Sequence, residues 1–135
     1  MDWKNLYMNY EGRINRQPFW LGLLALIIVQ WIVIFIVSML LGVSMMGGID
    51  PNMAPDVAAS MAMKAMIPIW IVSLLFLYPV LAVYTKRWHD RDKSGWWAGV
   101  YLIPLIGLVW TLVANGCRRG SVGPNRFGAD LSGEF

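Results

Sequence analysis

The stretch RWHDRDKSGWW, Arg87–Trp97, places six ionisable residues between two long apolar runs. One run covers residues 66–84, the other covers 96–114, and a third lies upstream at 19–43. A run of about 20 apolar residues is long enough to cross the hydrocarbon core of a bilayer as a helix. Backbone groups in lipid must find their hydrogen bonds within the segment, which favours helix. The sequence therefore predicts an all-α integral membrane protein, a small bundle of three hydrophobic helical segments.

The composition of the chain agrees with a single membrane domain, residues 1–135. Hydrophobic residues make up 58%, charged residues 14%, and the mean hydropathy is +0.54. The net charge of +3 is explained by basic residues that stay beside the apolar spans on the cytoplasmic side, so nucleic acid is not a predicted partner. One cysteine and one histidine predict no internal disulfide, no metal site and no cofactor.

Five segments follow one another along the chain. They are an interfacial N-terminal segment (1–18), span 1 (19–43), span 2 (66–85), a third apolar segment (96–115) and a polar tail (116–135). Apolar and aromatic residues between Trp3 and Tyr10 have the spacing of one helical face, which predicts a short interfacial helix; an irregular tail is the alternative. Turn formers, among them Gly47 and Pro51, predict a loop after span 1.

The third apolar segment has two interpretations, because Pro104 and Gly107 interrupt its centre. A single span would place Arg118 and the rest of the tail opposite the N-terminus. A re-entrant pair of short helices would bring all three basic segments to the cytoplasmic face, as the positive-inside rule favours. Non-helical backbone at membrane depth must be buried in protein, and a small bundle offers little cover. We favour the single span, with the re-entrant pair as the alternative.

Three motifs in order carry a family resemblance: GRINRQPFW at 12–20, RWHDRDKSGWW at 87–97 and GSVGPNRFGAD at 120–130. Together they resemble the bacterial inner-membrane family of YhaH-like proteins, domain of unknown function 805. The matching residues are Gly12, Arg13, Arg16, Phe19, Trp20, Arg87, His89, Asp90, Ser94, Gly95, Trp96, Gly120, Gly123, Asn125, Arg126 and Gly128. Trp88 and Phe127 stand where the pattern more often has leucine and tyrosine. The resemblance implies a bacterial inner-membrane protein and no established activity. From the apolar runs and the basic residues beside them, we expect a multi-pass protein with a cytoplasmic N-terminus.

Basic residues precede both span 1 and the third segment, so antiparallel spans would bring them together at one membrane face. A guanidinium group binds phosphate through two parallel hydrogen bonds, and neighbouring tryptophans fix how deeply the segment lies in the membrane interface. The predicted site for an anionic lipid headgroup or another anionic ligand consists of Arg13, Arg16, Arg87, Arg91, Trp96 and Trp97. The alternative is that these charges only set the topology. Structural roles are predicted for Gly12, Trp20, His89, Asp90, Ser94, Gly95, Asn125, Arg126 and Gly128.

The chain is predicted not to be an enzyme. His89 and Asp90 are adjacent, and neighbouring helical residues do not face each other, so they do not form a dyad. The expected role is that of a small accessory protein that binds membrane lipids, with a homo-oligomer or a partner membrane protein as further possibilities. The alternative is an oligomeric small-solute or ion transporter or channel component. Gln30, in mid-span, predicts either a hydrogen bond between helices or part of a polar pathway.

Overall fold

A computed structural model describes residues 2–40 and 52–131. Its elements are α1 (Trp3–Met8), α2 (Arg16–Leu40), α3 (Pro55–His89), a 3₁₀ helix (Gly95–Leu102), α4 (Ile106–Leu112) and a π-helical turn (Val113–Cys117). Within these ranges the only β feature is an isolated bridge between Asn125 and Gly128, so the predicted all-α class is confirmed. The loop predicted around Gly47 and Pro51, the end of span 1 at 41–43 and the tail residues 132–135 lie outside the described residues.

Two helices, α2 and α3, are long and apolar enough to cross a membrane. At 1.5 Å per residue the 35 residues of α3 extend about 52 Å, well beyond the 30 Å of a hydrocarbon core. The predicted apolar span ends at Thr85, and the last four residues of α3 are Lys86, Arg87, Trp88 and His89. These basic residues lie in the last turn, where cations complement the partial negative charge of the helix C-terminus.

The chain divides into two compact units. The first, which we call the polar unit, contains Met1–Leu26 and Tyr78–Phe135. Its apolar core includes Phe19, which packs edge-to-face on Tyr84 with 5.4 Å between ring centroids, and both rings are buried. The buried Leu6 brings α1 into the same unit, and the Tyr7 hydroxyl donates to the Gly22 carbonyl at 3.0 Å. These contacts place the N-terminal segment beside the start of α2.

The second compact unit, the apolar unit, is Ile27–Leu77. Its polar contact in mid-span joins α2 to α3: the Gln30 amide donates to the Ser73 hydroxyl at 3.1 Å. Ile34 and Val72 are buried, whereas large apolar side chains such as Trp70 are exposed, as expected for surfaces that face lipid. Gln30 therefore makes the interhelical hydrogen bond that its position predicted.

The third apolar segment is not the continuous helix that we favoured. The 3₁₀ helix ends at Leu102, residues 103–105 form a turn, and α4 starts afresh at Ile106. Pro104 lacks an amide proton and keeps the preceding residue extended, and Leu105 has a positive φ of 59°. A side chain at Gly107 would overlap the Val100 carbonyl oxygen, so the two short helices fold tightly on each other.

Candidate functional site

Asp90 is the centre of a buried ion network in the polar unit. Its carboxylate accepts from Arg13 of the first motif, with 3.0 Å between Nη2 and Oδ1, and from Arg87 one helical turn earlier. The Arg13 and Asp90 side chains are each only 2% exposed. Buried charges are tolerated when they are paired and fully hydrogen-bonded. Asp90 therefore joins its own segment to a residue that lies 77 positions away in the sequence.

Arg13 joins Asp90 to the polar tail. Its Nη1 donates to the carbonyls of Gly123 at 2.9 Å and Ala129 at 3.0 Å, and its Nη2 donates to the Ser121 carbonyl at 2.9 Å. The preceding Gly12 has a φ of +87°, a conformation that residues with a side chain rarely adopt. The guanidinium therefore fixes the path of the tail by binding three of its backbone carbonyls.

Arg87 organises the end of the third apolar segment in the same way. Its Nε donates to the Asn115 carbonyl and its Nη2 to the Arg118 carbonyl, each at 2.7 Å. Its Nη1 donates to the Ile14 carbonyl at 3.1 Å as well as to Asp90. The last carbonyls of a helix have no intrahelical partner, so a buried cation can satisfy them. Arg87 thus closes the π-helical turn onto α3.

The tail packs directly against Asp90. The Ser121 amide donates to the Asp90 carbonyl at 2.7 Å, and the Ser121 hydroxyl donates to the same oxygen at 2.9 Å. A side chain at Gly120 would overlap the Asp90 carboxylate. Glycine at this position therefore lets the backbone approach the buried carboxylate. This close approach explains why the third motif begins with glycine.

His89 has a separate set of partners from Asp90, as their adjacency predicted. Its ring stacks on Phe127 at 3.8 Å between centroids, and its Nδ1 donates to the Gly12 carbonyl at 3.2 Å. Asn125 donates to the His89 carbonyl at 2.9 Å. Burial lowers the pKa of His89; the Gly12 bond opposes that shift and Arg126 adds to it. His89, Asn125 and Phe127 therefore join the second motif to the third as a packed, hydrogen-bonded unit.

A cavity of about 730 Å³ opens beside the ion network. Its charged lining residues are Arg13, Arg16, Arg87, Arg119 and Asp90, and its apolar ones are Trp20, Val122 and Leu131. Arg16 and Arg119 are exposed and have no hydrogen bond or ion pair with the part of the chain that the structure describes. Four cations and one anion leave this cavity strongly positive, with two guanidinium groups available to a ligand.

The residues predicted for the anionic site divide into three groups. Arg13 and Arg87 are buried, with their donors bound to Asp90 and backbone carbonyls. Among the predicted residues, Arg16 alone is both exposed and part of the cavity lining. Arg91 instead lies over the Trp88 ring at 5.0 Å from its centroid, and burial, followed by the nearby Arg118, lowers its pKa.

The paired tryptophans do not line the cavity. Trp96 is 91% exposed, and Trp97 is exposed while its ring lies 5.6 Å from that of Trp88. Ser94 accepts from the Trp96 amide and so caps the 3₁₀ helix. A side chain at Gly95 would overlap that of Thr85, so Gly95 permits close packing against α3. Both residues therefore shape the turn that presents the two tryptophans at the surface.

Arg119 was missed as a site residue. The predicted single span would have placed the whole tail opposite the N-terminus, far from Arg16. The signal that could have found it is the combination of two features: a helix-breaking Pro104 and a basic tail whose charge follows the positive-inside rule. Arg126, predicted to be structural, pairs on the surface with Asp92 at 3.4 Å and lies over Phe127.

These features define a small all-α membrane protein with a buried arginine–aspartate network at the end of its second long helix. The chain belongs to the family of proteins of unknown function designated DUF805, whose model matches residues 7–129. It is 35% identical over 135 residues to "Inner membrane protein YhaH" of Escherichia coli K12, covering 96% of each chain. It is 31% identical to "Inner membrane protein YhaI" of the same organism, covering 92% of this chain and 86% of the relative.

A more distant relative, "Uncharacterized protein YiiR" of Escherichia coli K12, is 27% identical over 90% of this chain and 85% of its own length. No solved structure matches the chain. The family and the two apolar helices identify an integral inner-membrane protein, whose biochemical role the family name leaves undefined.

Proposed function

We propose that this protein is a non-enzymatic membrane accessory protein that binds an anionic group, a lipid headgroup or a soluble anion, in the cavity of the polar unit. One observation carries the proposal: Arg16 and Arg119 both line this cavity, and neither has a partner within the described residues. Guanidinium groups pair with phosphate and carboxylate through parallel hydrogen bonds. Two guanidinium groups without partners in one cavity form a binding site for such an anion.

The buried ion network supports the proposal by holding the cavity open and rigid. Asp90 neutralises one of its two buried arginine partners, and the carbonyls of the tail take up the remaining donors. Asp90 is therefore not free to neutralise Arg16 or Arg119. A preorganised site needs such supporting contacts around the residues that touch the ligand. Arg13 and Arg87 accordingly position the wall of the cavity, and Arg16 and Arg119 bind the anion.

The test compares lipid and anion co-purification with the wild-type chain and the double variant Arg16→Gln, Arg119→Gln. Lys93→Gln is the control for loss of an exposed positive charge elsewhere, since Lys93 is exposed and does not line the cavity. Native mass spectrometry after mild detergent extraction is expected to show loss of bound anionic species in the double variant alone. Equal retention in all three proteins would overturn the proposal.

We further propose that the N-terminal segment and the tail both face the cytoplasm, with the third apolar segment re-entrant. Arg13 binds the tail carbonyls directly, and the Asn15 amide donates to the Leu131 carbonyl at 2.8 Å. Segments that contact one another in water lie on one side of the membrane. Of the eleven Lys and Arg residues only Lys64 belongs to the connection between the two long apolar spans, and the other ten precede or follow them, as the positive-inside rule favours.

Thiol labelling tests this topology. In a Cys117→Ser background, Ala129→Cys tests the tail and Lys64→Cys tests the first part of α3, just before the predicted span at 66–85; both positions are exposed. A membrane-impermeant reagent applied to intact cells is expected to label the cysteine at 64 and to reach that at 129 only after permeabilisation. Labelling of both in intact cells would restore the single-span interpretation.

A further inference from the structure

We infer that the ligand of this cavity is a membrane lipid whose headgroup ends in a phosphate monoester, bound in preference to a phosphodiester lipid. The inference rests on the proposed anionic site and specifies its occupant. It follows from two features of the polar unit: the number of free positive charges on the cavity, and the apolar surface that continues from the cavity along α2.

The two arginines of the cavity that have no partner within the described residues match a doubly charged headgroup. Of its four arginines, Arg13 and Arg87 share Asp90, and their remaining donors bind backbone carbonyls. Arg16 and Arg119 contribute two uncompensated charges. A phosphate monoester carries a charge of about −1.5 to −2 at neutral pH and has three terminal oxygens, so it can accept hydrogen bonds from both guanidinium groups at once. A phosphodiester carries a single charge, so it would leave one of these two positive charges uncompensated.

The path of the acyl chains is given by the face of α2 that begins at Arg16. Trp20 and Leu24 follow Arg16 at intervals of four residues, which places all three on one side of the helix. Trp20 also lines the cavity, and its indole donates to the Gly116 carbonyl at 3.3 Å. Trp20 is 46% exposed and Leu24 is 55% exposed. A phosphate held at Arg16 would therefore direct its acyl chains along an apolar surface that starts inside the cavity.

The cavity also offers neutral donors that suit a phosphate. Gln17 lines it and is exposed, one residue after Arg16 in the first turn of α2. In this turn Pro18 has no amide proton and the Phe19 amide donates to the Asn15 carbonyl, so the Gln17 side chain is the main neutral donor; the partial positive charge of the helix N-terminus also favours an anion there. These groups add to the two guanidinium groups; they do not replace them as the basis of the preference.

The experiment is a lipid competition on the full-length protein in neutral nanodiscs, read by native mass spectrometry. Phosphatidic acid and phosphatidylglycerol with identical acyl chains supply the monoester and the diester, and phosphatidylcholine is the neutral reference. Phosphatidic acid is expected to bind at least about fivefold more tightly than phosphatidylglycerol, since each basic residue contributes about 1 kcal/mol to binding an anionic lipid. Arg119→Gln is expected to abolish the difference between the two anionic lipids.

A second arm separates the headgroup from the acyl chains. Glycerol 3-phosphate supplies the soluble monoester, and Leu24→Ser weakens only the apolar surface. Leu102→Ser is the matched control, because Leu102 is similarly exposed, at 56%, and does not line the cavity. We expect Leu24→Ser to weaken phosphatidic acid binding severalfold, Leu102→Ser to leave it unchanged, and glycerol 3-phosphate to compete poorly.

The possible outcomes distinguish the two proposals. If neither anionic lipid binds better than phosphatidylcholine and glycerol 3-phosphate does not bind, the anionic site itself is wrong. If the two anionic lipids bind equally, the anionic site stands and the preference for a monoester is wrong. If glycerol 3-phosphate binds as tightly as phosphatidic acid, the site recognises a soluble phosphate and the acyl path along α2 is wrong.

Discussion

The two compact units of this chain are held by different kinds of interaction. In the polar unit, Asp90 collects two buried arginines, and these bind carbonyls of the N-terminal segment, the π-helical turn and the tail. In the apolar unit, the side-chain hydrogen bond between Gln30 and Ser73 accompanies a surface of exposed apolar residues. The difference teaches that irregular segments of a small membrane protein need specific polar contacts to fix their structure, whereas a helix in lipid satisfies its own backbone hydrogen bonds.

The largest effect is expected from Asp90→Asn, which removes the anion and leaves two buried guanidinium groups without it. Breaking a buried ion pair from one side costs about 3–5 kcal/mol. Melting followed by scanning fluorimetry in detergent is expected to show Tm lowered by about 10 °C or more.

Asp92→Asn is the matched control for Asp90→Asn. The Arg126–Asp92 pair has side chains that are 61% and 53% exposed, and exposed pairs contribute about 0–1 kcal/mol. Its Tm is expected to stay within a few degrees of wild type. Equal losses in the two variants would contradict the idea that the polar unit depends on its buried ion network.

Gly120→Ala is expected to have the next largest effect, because the added methyl group would overlap the Asp90 carboxylate. Overpacking of this kind costs about 1–3 kcal/mol. The same melting assay applies, with Gly99→Ala as the control, since a Cβ at Gly99 would meet nothing within 4 Å. A Gly120→Ala protein as stable as Gly99→Ala would show that the tail does not need its close approach to the ion.

The polar unit is also expected to lose stability as the pH falls through the ordinary titration range of histidine. Burial lowers the pKa of His89 in the folded protein, so below about pH 6.5 the unfolded chain binds the extra proton more readily. With one proton involved, the slope is at most about 1.4 kcal/mol per pH unit.

Comparison of Tm at pH 7.5 and 5.5 for wild type and His89→Gln isolates this contribution. The variant loses the ring stack on Phe127 and is expected to melt lower at both pH values, but with a smaller difference between them. An identical pH difference in both proteins would assign the pH dependence to another group.

The smallest effect is expected in the apolar unit, from Gln30→Ala. Hydrogen bonds between membrane helices contribute about 0.6 kcal/mol on average, because the separated helices also find partners. A double-mutant cycle with Ser73→Ala, measured by unfolding in mixed micelles, is expected to give a coupling energy of that size. A coupling above about 2 kcal/mol would show that the apolar unit, too, depends on its polar contacts.

The parts of the fold that were predictable from the sequence are those set by local rules. Hydropathy indicated the long helices, and the spacing of apolar and aromatic residues between Trp3 and Tyr10 indicated the short helix α1. The Arg87–Asp90 pair has the spacing of helical neighbours and could be read directly. These features needed no knowledge of which distant segments meet.

The remaining features depend on contacts between segments far apart in sequence. No local pattern shows that Arg13 forms the second ion pair with Asp90, or that Arg119 lines the same cavity as Arg16. The break at Pro104 was visible in the sequence. Its consequence is a tail that contacts the N-terminal segment, and this depends on contacts between segments that are distant in the sequence. Arg87 binds the carbonyls of Asn115 and Arg118 at the end of the third apolar segment, and only the tertiary structure reveals these contacts.

The bonds of Arg13 also determine when the polar unit can form during synthesis. Its Nη1 binds the carbonyl of Ala129, 116 residues later in a chain of 135. The ribosome must therefore have passed residue 129 before this guanidinium has its last partner, although domains generally fold as units while the chain emerges. Both long helices are made first, and the tail assembles the motifs in a final step. A chain stalled before residue 120 would leave Arg13 without any of its tail contacts.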